Sequence, residues 1–214
     1  MTHLADLLLL LVLLTGFLIL GTTRLTTCIR GVAVQGGLLG LLPLALEPLS
    51  QWSAHTLGLA AGTILVKAIA LPWFLTWAIR EAAVRREVEP RVGYVASMAL
   101  GIIAVAVASA VATRLPVPGD HPILLVATSL SCVIMGLLVL ATRAKALIQV
   151  VGYLMLENGI YVFGLTSVDR VPFLVEVGVL LDIFVGVFIM GIVVFHINRE
   201  FDSLDSARLT ELRD

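Results

Sequence analysis

The 214-residue chain is 59% hydrophobic and 14% charged, with a mean hydropathy of +1.06 and a formal net charge of −1. Soluble globular chains carry about 25% charged residues, so this composition excludes an ordinary water-soluble domain. The near-neutral balance gives no sign of nucleic acid or an acidic partner.

A membrane-spanning helix needs about 20 mostly apolar residues. Seven stretches qualify, near Leu4–Thr22, Gly31–Leu46, Thr56–Ile79, Gly93–Thr113, Ile123–Ala141, Ala146–Ser167 and Pro172–Ile197. Met1–Gly21 lacks the basic n-region of a signal peptide and reads as a first span that is kept. The second stretch is short and glycine-rich, and Cys28 falls in the polar loop before it. Pro48, the Pro116/Pro118/Gly119 cluster and Pro172 punctuate the connections. Cys132 lies inside the fifth span, and no CxxC or Cys/His cluster occurs, so neither a disulfide nor a metal site is expected.

Basic residues choose the direction. Arg24 and Arg30, then Arg80, Arg85, Arg86 and Arg91, then Arg143 and Lys145, then Arg199, Arg208 and Arg213 all fall on one side of a seven-span chain. Only Arg114 and Arg170 fall on the other. The positive-inside rule then places the N-terminus outside and the C-terminus in the cytoplasm. The expected fold is an all-α integral membrane protein of about seven transmembrane helices. Residues 1–141 hold the first five, residues 142–197 the last two, and residues 198–214 form a cytoplasmic tail. The charged segment Arg80–Arg91 and the tail, with Leu204, Leu209 and Leu212 at helical spacing, read either as solvated loops or as docking surfaces for a partner subunit.

The informative residues are the charges inside spans. Each costs at least ~2.5–3.5 kcal/mol at the bilayer centre and marks a functional site by default. Lys67 in span three and Glu157 in span six each lie about 16 Å deep, and Asp182 in span seven about 15 Å, at ~1.5 Å per residue. All three therefore approach the midplane of a ~30 Å hydrocarbon core. Glu176 lies nearer the outer end, about 6 Å in. Tyr153, Glu157 and Tyr161 share one helix face, so both phenols can reach the carboxyl and relay a proton. Asn158 stands one position round. Gly178 and Gly186 flank Asp182 on its own face, where small residues permit close helix packing or water. Pro72 cannot donate to the carbonyl of Ala68, beside Lys67. The same charges also fit a static reading, in which Lys67 pairs with Glu157 or Asp182 and only holds helices together. His3, His55, His121 and His196 lie at span ends or in loops, which leaves no inward-facing pair for a b-type haem.

The stretches I-L-V-K-A-I-A-L-P (64–72), G-Y-L-M-L-E-N-G (152–159), P-F-L-V-E-V-G-V-L-L-D (172–182) and L-D-S-A-R-L-T-E-L-R (204–213) resemble component E of hydrogenase-4. That family is the small membrane subunit of group 4 nickel–iron hydrogenase and formate hydrogenlyase-type complexes. The last three spans, with helix five at 123–141, are also similar to subunit K of complex I and to the C component of Mrp-type antiporters. Asp182, with Gly186 four residues on, matches the second mid-membrane carboxylate of that three-helix subunit. The first falls in register at Leu154, one turn before Glu157. The resemblance implies a non-redox, non-catalytic membrane-arm subunit of a complex I-related oxidoreductase, in a bacterial or archaeal inner membrane. It implies antiporter-like membrane subunits and hydrogenase or iron–sulfur subunits as partners, with no cofactor on this chain. Proton or Na⁺ translocation through Glu157, Asp182, Lys67, Glu176, Tyr153 and Tyr161 is then the expected role. A structural adaptor that braces an antiporter-like subunit and a stand-alone secondary transporter are the alternatives.

Overall fold

The computed structural model describes residues 2–22, 24–81, 92–115, 123–166, 182 and 184–191. Among these the chain is helical, without strands. The elements are α1 (Thr2–Gly21), α2 (Leu25–Leu46), a 3₁₀ turn at Leu49–Gln51, α3 (Ala54–Thr63), a π-helical segment Ile64–Ala70, α4 (Leu71–Glu81), α5 (Tyr94–Ala112), α6 (Ile123–Thr142) and α7 (Ala146–Leu165). Six helices are long and apolar enough to cross a membrane, and the third of them, Ala54–Arg80, is the continuous run of α3, the π-helical segment and α4. Of the expected span Pro172–Ile197, residues 182 and 184–191 are described and helical. Glu176, Gly178, residues 82–91 of the charged extension, the Pro116/Pro118/Gly119 cluster and the tail lie outside the described residues.

The second helix corrects the sequence reading. It starts at Leu25 rather than Gly31, and Cys28 is a buried helical residue, 1% exposed, instead of part of a polar loop. Two threonines and Arg30 interrupt the apolar run there, so hydropathy alone places the start too late. The backbone is unaffected: the Arg24 carbonyl accepts from the N–H groups of Thr27 and Cys28 at 3.0 and 3.1 Å, while Arg30 stays exposed. At the far end the chain is tied before it turns. Ser53 caps α3 by accepting from the Thr56 N–H at 3.1 Å, and the Thr56 hydroxyl donates to Glu47 at 2.9 Å.

Helices α6 and α7 pack most closely, and α2 is the hub. It lies against α1, α3, the π-helical segment, α4 and α7. The α6–α7 contact is backbone on backbone. A Cβ placed on Gly136 would lie 2.5 Å from the amide N of Leu156, and one on Gly152 would lie 2.9 Å from that of Leu140. The apolar interior then divides in two. One core gathers Ile19, Val32, Leu71, Met135 and Leu154; the other gathers Val12, Leu39, Leu125, Tyr161 and Val162. On three helices buried polar or charged residues fall between the two cores: Gln35 on α2, Thr63 and Lys67 on the third span, Glu157 and Asn158 on α7. A thin buried polar layer therefore crosses the bundle at mid-height. Large apolar side chains such as Leu4, Leu14, Trp73 and Val95 point outward, as lipid contact requires.

Candidate functional site: a buried polar layer

Lys67 sits in the π-helical segment, 5% exposed, and reaches two acidic side chains on other parts of the chain. Its ammonium donates to Oε1 of Glu157 and, at 3.3 Å, to Oδ1 of Asp182. Glu157 is 1% and Asp182 6% exposed. Three ionisable groups are thus held in one buried cluster, with two carboxyls for one ammonium. The second oxygen of Glu157, Oε2, is buried and has no hydrogen-bond partner among the described residues. An acceptor left without a donor in such surroundings costs about 1–3 kcal/mol or more, so this oxygen is the place where a proton or a water gains most.

The π-helical turn explains how Lys67 reaches this position. The Ile64 N–H still bonds the Ala60 carbonyl four residues back, whereas at the far end the Leu71 N–H bonds the Val66 carbonyl five residues back. Pro72 follows and has no N–H, so the wider ladder stops there. The next acceptor in the five-residue register is the carbonyl of Lys67, not that of Ala68 as ordinary α-helical spacing predicts. Local widening at a functional residue is the usual context of π-turns.

The tyrosines divide. Tyr161 does not turn its hydroxyl to Glu157. It hydrogen-bonds the Thr63 hydroxyl at 3.2 Å, while its ring lies 5.9 Å from the Lys67 ammonium. It therefore acts on the cation, in the manner of a cation–π contact. Tyr153, one turn from Glu157, is half-buried and lines a cavity of about 260 Å³ with Gln149, Val150 and Val185. Gly186 borders a groove of about 720 Å³ between α4 and residues 186–191, lined also by Trp73 and Met190. A Cβ added at Gly186 would meet nothing within 4 Å among the described residues, so among these it makes no close helix contact and leaves room on that face. Glu176 and Gly178 lie outside the described residues.

Two buried groups escaped the sequence reading. Gln35 is completely buried and forms the centre of an amide chain. Its Oε1 accepts from Asn158 Nδ2 at 3.0 Å, and its Nε2 donates to the Val12 carbonyl at 3.2 Å, with Cys132 Sγ at 3.9 Å. A lone glutamine in a helix carries no formal charge, so charge-hunting passes over it. Arg143 counts in the sequence as an inner-loop charge, yet it is 1% exposed. It donates to the Leu20 carbonyl at 2.6 Å and stands 5.1 Å from the Tyr94 ring, with Nη1 unpartnered among the described residues. It ties the ends of α1, α5 and α6 rather than facing solvent. No group of three or more His, Cys, Asp or Glu side chains able to hold a metal occurs among the described residues.

The chain is 32% identical over 205 residues to the uncharacterized protein Rv0085 of Mycobacterium tuberculosis, a match that spans 94% of this chain and 92% of that protein. It is 28% identical over 172 residues to Hydrogenase-4 component E of Escherichia coli K12 and of Shigella flexneri, covering 79% of this chain and 76% of each relative. No family model and no solved structure matches it. Identity at that level along nearly the whole length of both chains means that this multi-pass helical protein belongs to the family of Rv0085, with Hydrogenase-4 component E as a distant relative.

Proposed function

We propose that the chain is a non-redox membrane subunit of a hydrogenase-related assembly, and that Lys67, Glu157 and Asp182 hold and hand on a proton, or Na⁺, at the middle of the bilayer. The observation that carries this reading is the buried Oε2 of Glu157, without a hydrogen-bond partner among the described residues, beside an ammonium shared by two carboxyls. Such a cluster allows two arrangements. Lys67 can neutralise Glu157 while Asp182 takes up a proton, or the reverse. Driving one proton against ~200 mV costs about 4.6 kcal/mol. Breaking a buried ion pair by removing one partner costs about 3–5 kcal/mol, so moving Lys67 between its two acceptors is an effect of the right size.

The distant likeness to Hydrogenase-4 component E supplies the context. Redox centres reside on other subunits of the assembly, and antiporter-like membrane subunits are the neighbours. Helix α6, helix α7 and residues 182–191 correspond to a complex I subunit K-like module. The N-terminus faces the outside and the C-terminus the cytoplasm of a bacterial or archaeal inner membrane.

The test is Glu157→Gln and Asp182→Asn in the assembled complex, with redox-driven acidification of inverted membrane vesicles as the readout. Either change is expected to abolish proton movement while the complex assembles normally. Undiminished movement in both variants overturns the reading. It leaves the brace, a role also favoured by one observation: Lys67 already bonds both carboxylates at once.

A further inference from the structure

Residues 35 and 36 of α2 are neighbours in sequence, yet they grip opposite partners of the buried ion pair. Gly36 touches the backbone that carries Lys67. A Cβ added there would lie 2.7 Å from the Lys67 carbonyl carbon, 2.7 Å from its Cβ and 2.8 Å from its carbonyl oxygen. One turn on, a Cβ at Gly40 would lie 3.1 Å from the Ala60 carbonyl and 2.4 Å from Ile64 Cγ1. So α2 lies in backbone contact with the third span on both sides of the start of the π-helical segment. Gln35 holds the other partner. Its Oε1 accepts from Asn158, the residue next to Glu157, and its Nε2 is anchored to the Val12 carbonyl of α1. All of these residues except half-buried Ile64 are buried.

We propose that α2 is the clamp that sets the distance between Lys67 and Glu157, with Gly36 fixing the cation and the Gln35–Asn158 amide pair fixing the rotation of α7. Gln35, Gly36 and Asn158 are then positioning residues for the ion pair. The packed interior transmits small displacements because it has no slack. A methyl at Gly36 meets backbone rather than the end of a flexible side chain, so the π-helical segment must move away from α2 and take Lys67 with it. Loss of the Gln35 carbonyl leaves the Asn158 amide unpaired, and α7 turns to satisfy it. Motion of α2 relative to α1 becomes, by the same geometry, a means of opening the ion pair from a distance.

The inference stands on geometry and is independent of whether the pair moves protons. Lys67 and Lys145 are the only lysines in the chain, so a lysine ¹⁵Nζ label is nearly site-specific. Full-length protein in lipid, labelled with ¹⁵Nζ-lysine and ¹³Cδ-glutamate, reports the Lys67–Glu157 contact as dipolar dephasing in solid-state NMR, assigned with Lys67→Met. Gly36→Ala is expected to lose that dephasing. Gly37→Ala is expected to keep it, because its Cβ would meet only Ala68 Cβ at an ordinary 3.8 Å. Gln35→Leu is the second variant and is expected to lose the signal as well. Wild-type dephasing in folded Gly36→Ala or in folded Gln35→Leu overturns the clamp. Failure of both to fold also overturns it, since a device that sets one distance is not needed to form the bundle.

Discussion

Lys67 satisfies two carboxylates and therefore cannot be removed without stranding both. Two carboxyls share the one ammonium, and all three groups are almost wholly shielded from solvent. Lys67→Met is expected to destabilise the protein by about 3–5 kcal/mol, the size expected when one member of a buried pair is removed. Lys67→Met combined with Glu157→Gln is expected to recover part of that loss, because one uncompensated carboxylate disappears with the cation. Unfolding in mixed micelles with increasing denaturing detergent measures both. Equal stability of the single and double variants would mean that the two groups do not interact. The thiols give a second prediction at this scale. Cys28 and Cys132 are 1% and 0% exposed, so folded protein is expected to resist a maleimide that labels both thiols after denaturation. Rapid labelling of folded protein at Cys28 would return it to a loop. Lys67, Glu157 and Asp182 were legible in the sequence because a charge in an apolar run stands out and helical rise gives its depth. Gln35 and the fate of Arg143 were not. A neutral amide carries no hydropathy alarm, and an arginine at a helix end looks solvated until its neighbours in space are known.

Six of the expected spans correspond to helices, and the errors fall where a local signal conflicts with packing. Polar residues at the start of α2 hide helix, and Pro72 announces a disturbance without stating its form. A missing N–H predicts a free carbonyl four residues back; the structure shows the preceding turns widened to the five-residue register. Nothing in I-L-V-K-A-I-A distinguishes α from π winding, because the choice depends on α2 pressing against that segment. The α6–α7 pair is the clearest element-scale test. Gly136→Leu places a side chain where the Leu156 amide and the Gly152 carbonyl already stand, at 2.5 and 2.7 Å. Overpacking costs about 1–3 kcal/mol in ordinary cores, and backbone leaves no rotamer to yield, so the cost here is expected at or above the top of that range. Gly62→Ala meets nothing within 4 Å among the described residues and is expected to be neutral. Comparable melting of Gly136→Leu and Gly62→Ala would show that α6 and α7 are not in backbone contact.

For the whole molecule, the distribution of basic residues and the order of helices make one joint statement about direction. Connections at residues 22–24, 82–93 and 143–145 carry the basic groups, whereas those at 47–53 and 113–122 carry only Arg114. The burial of Arg143 removes one charge from the basic side without altering the sign of the bias, since Arg24, Arg80 and Lys145 remain. Ser50 in the 3₁₀ turn and Gly93 before α5 are both exposed, at opposite ends of the third and fourth spans. With the native thiols buried, single substitutions there report direction. Ser50→Cys is expected to react with a membrane-impermeant maleimide in intact cells, and Gly93→Cys only after permeabilisation. The reverse pattern would invert the molecule. In that case the 260 Å³ cavity beside Tyr153, toward the Lys145 end of α7, would lie nearer the outer than the inner face. Direction thus decides which face of the membrane the Tyr153 side of the polar layer looks toward.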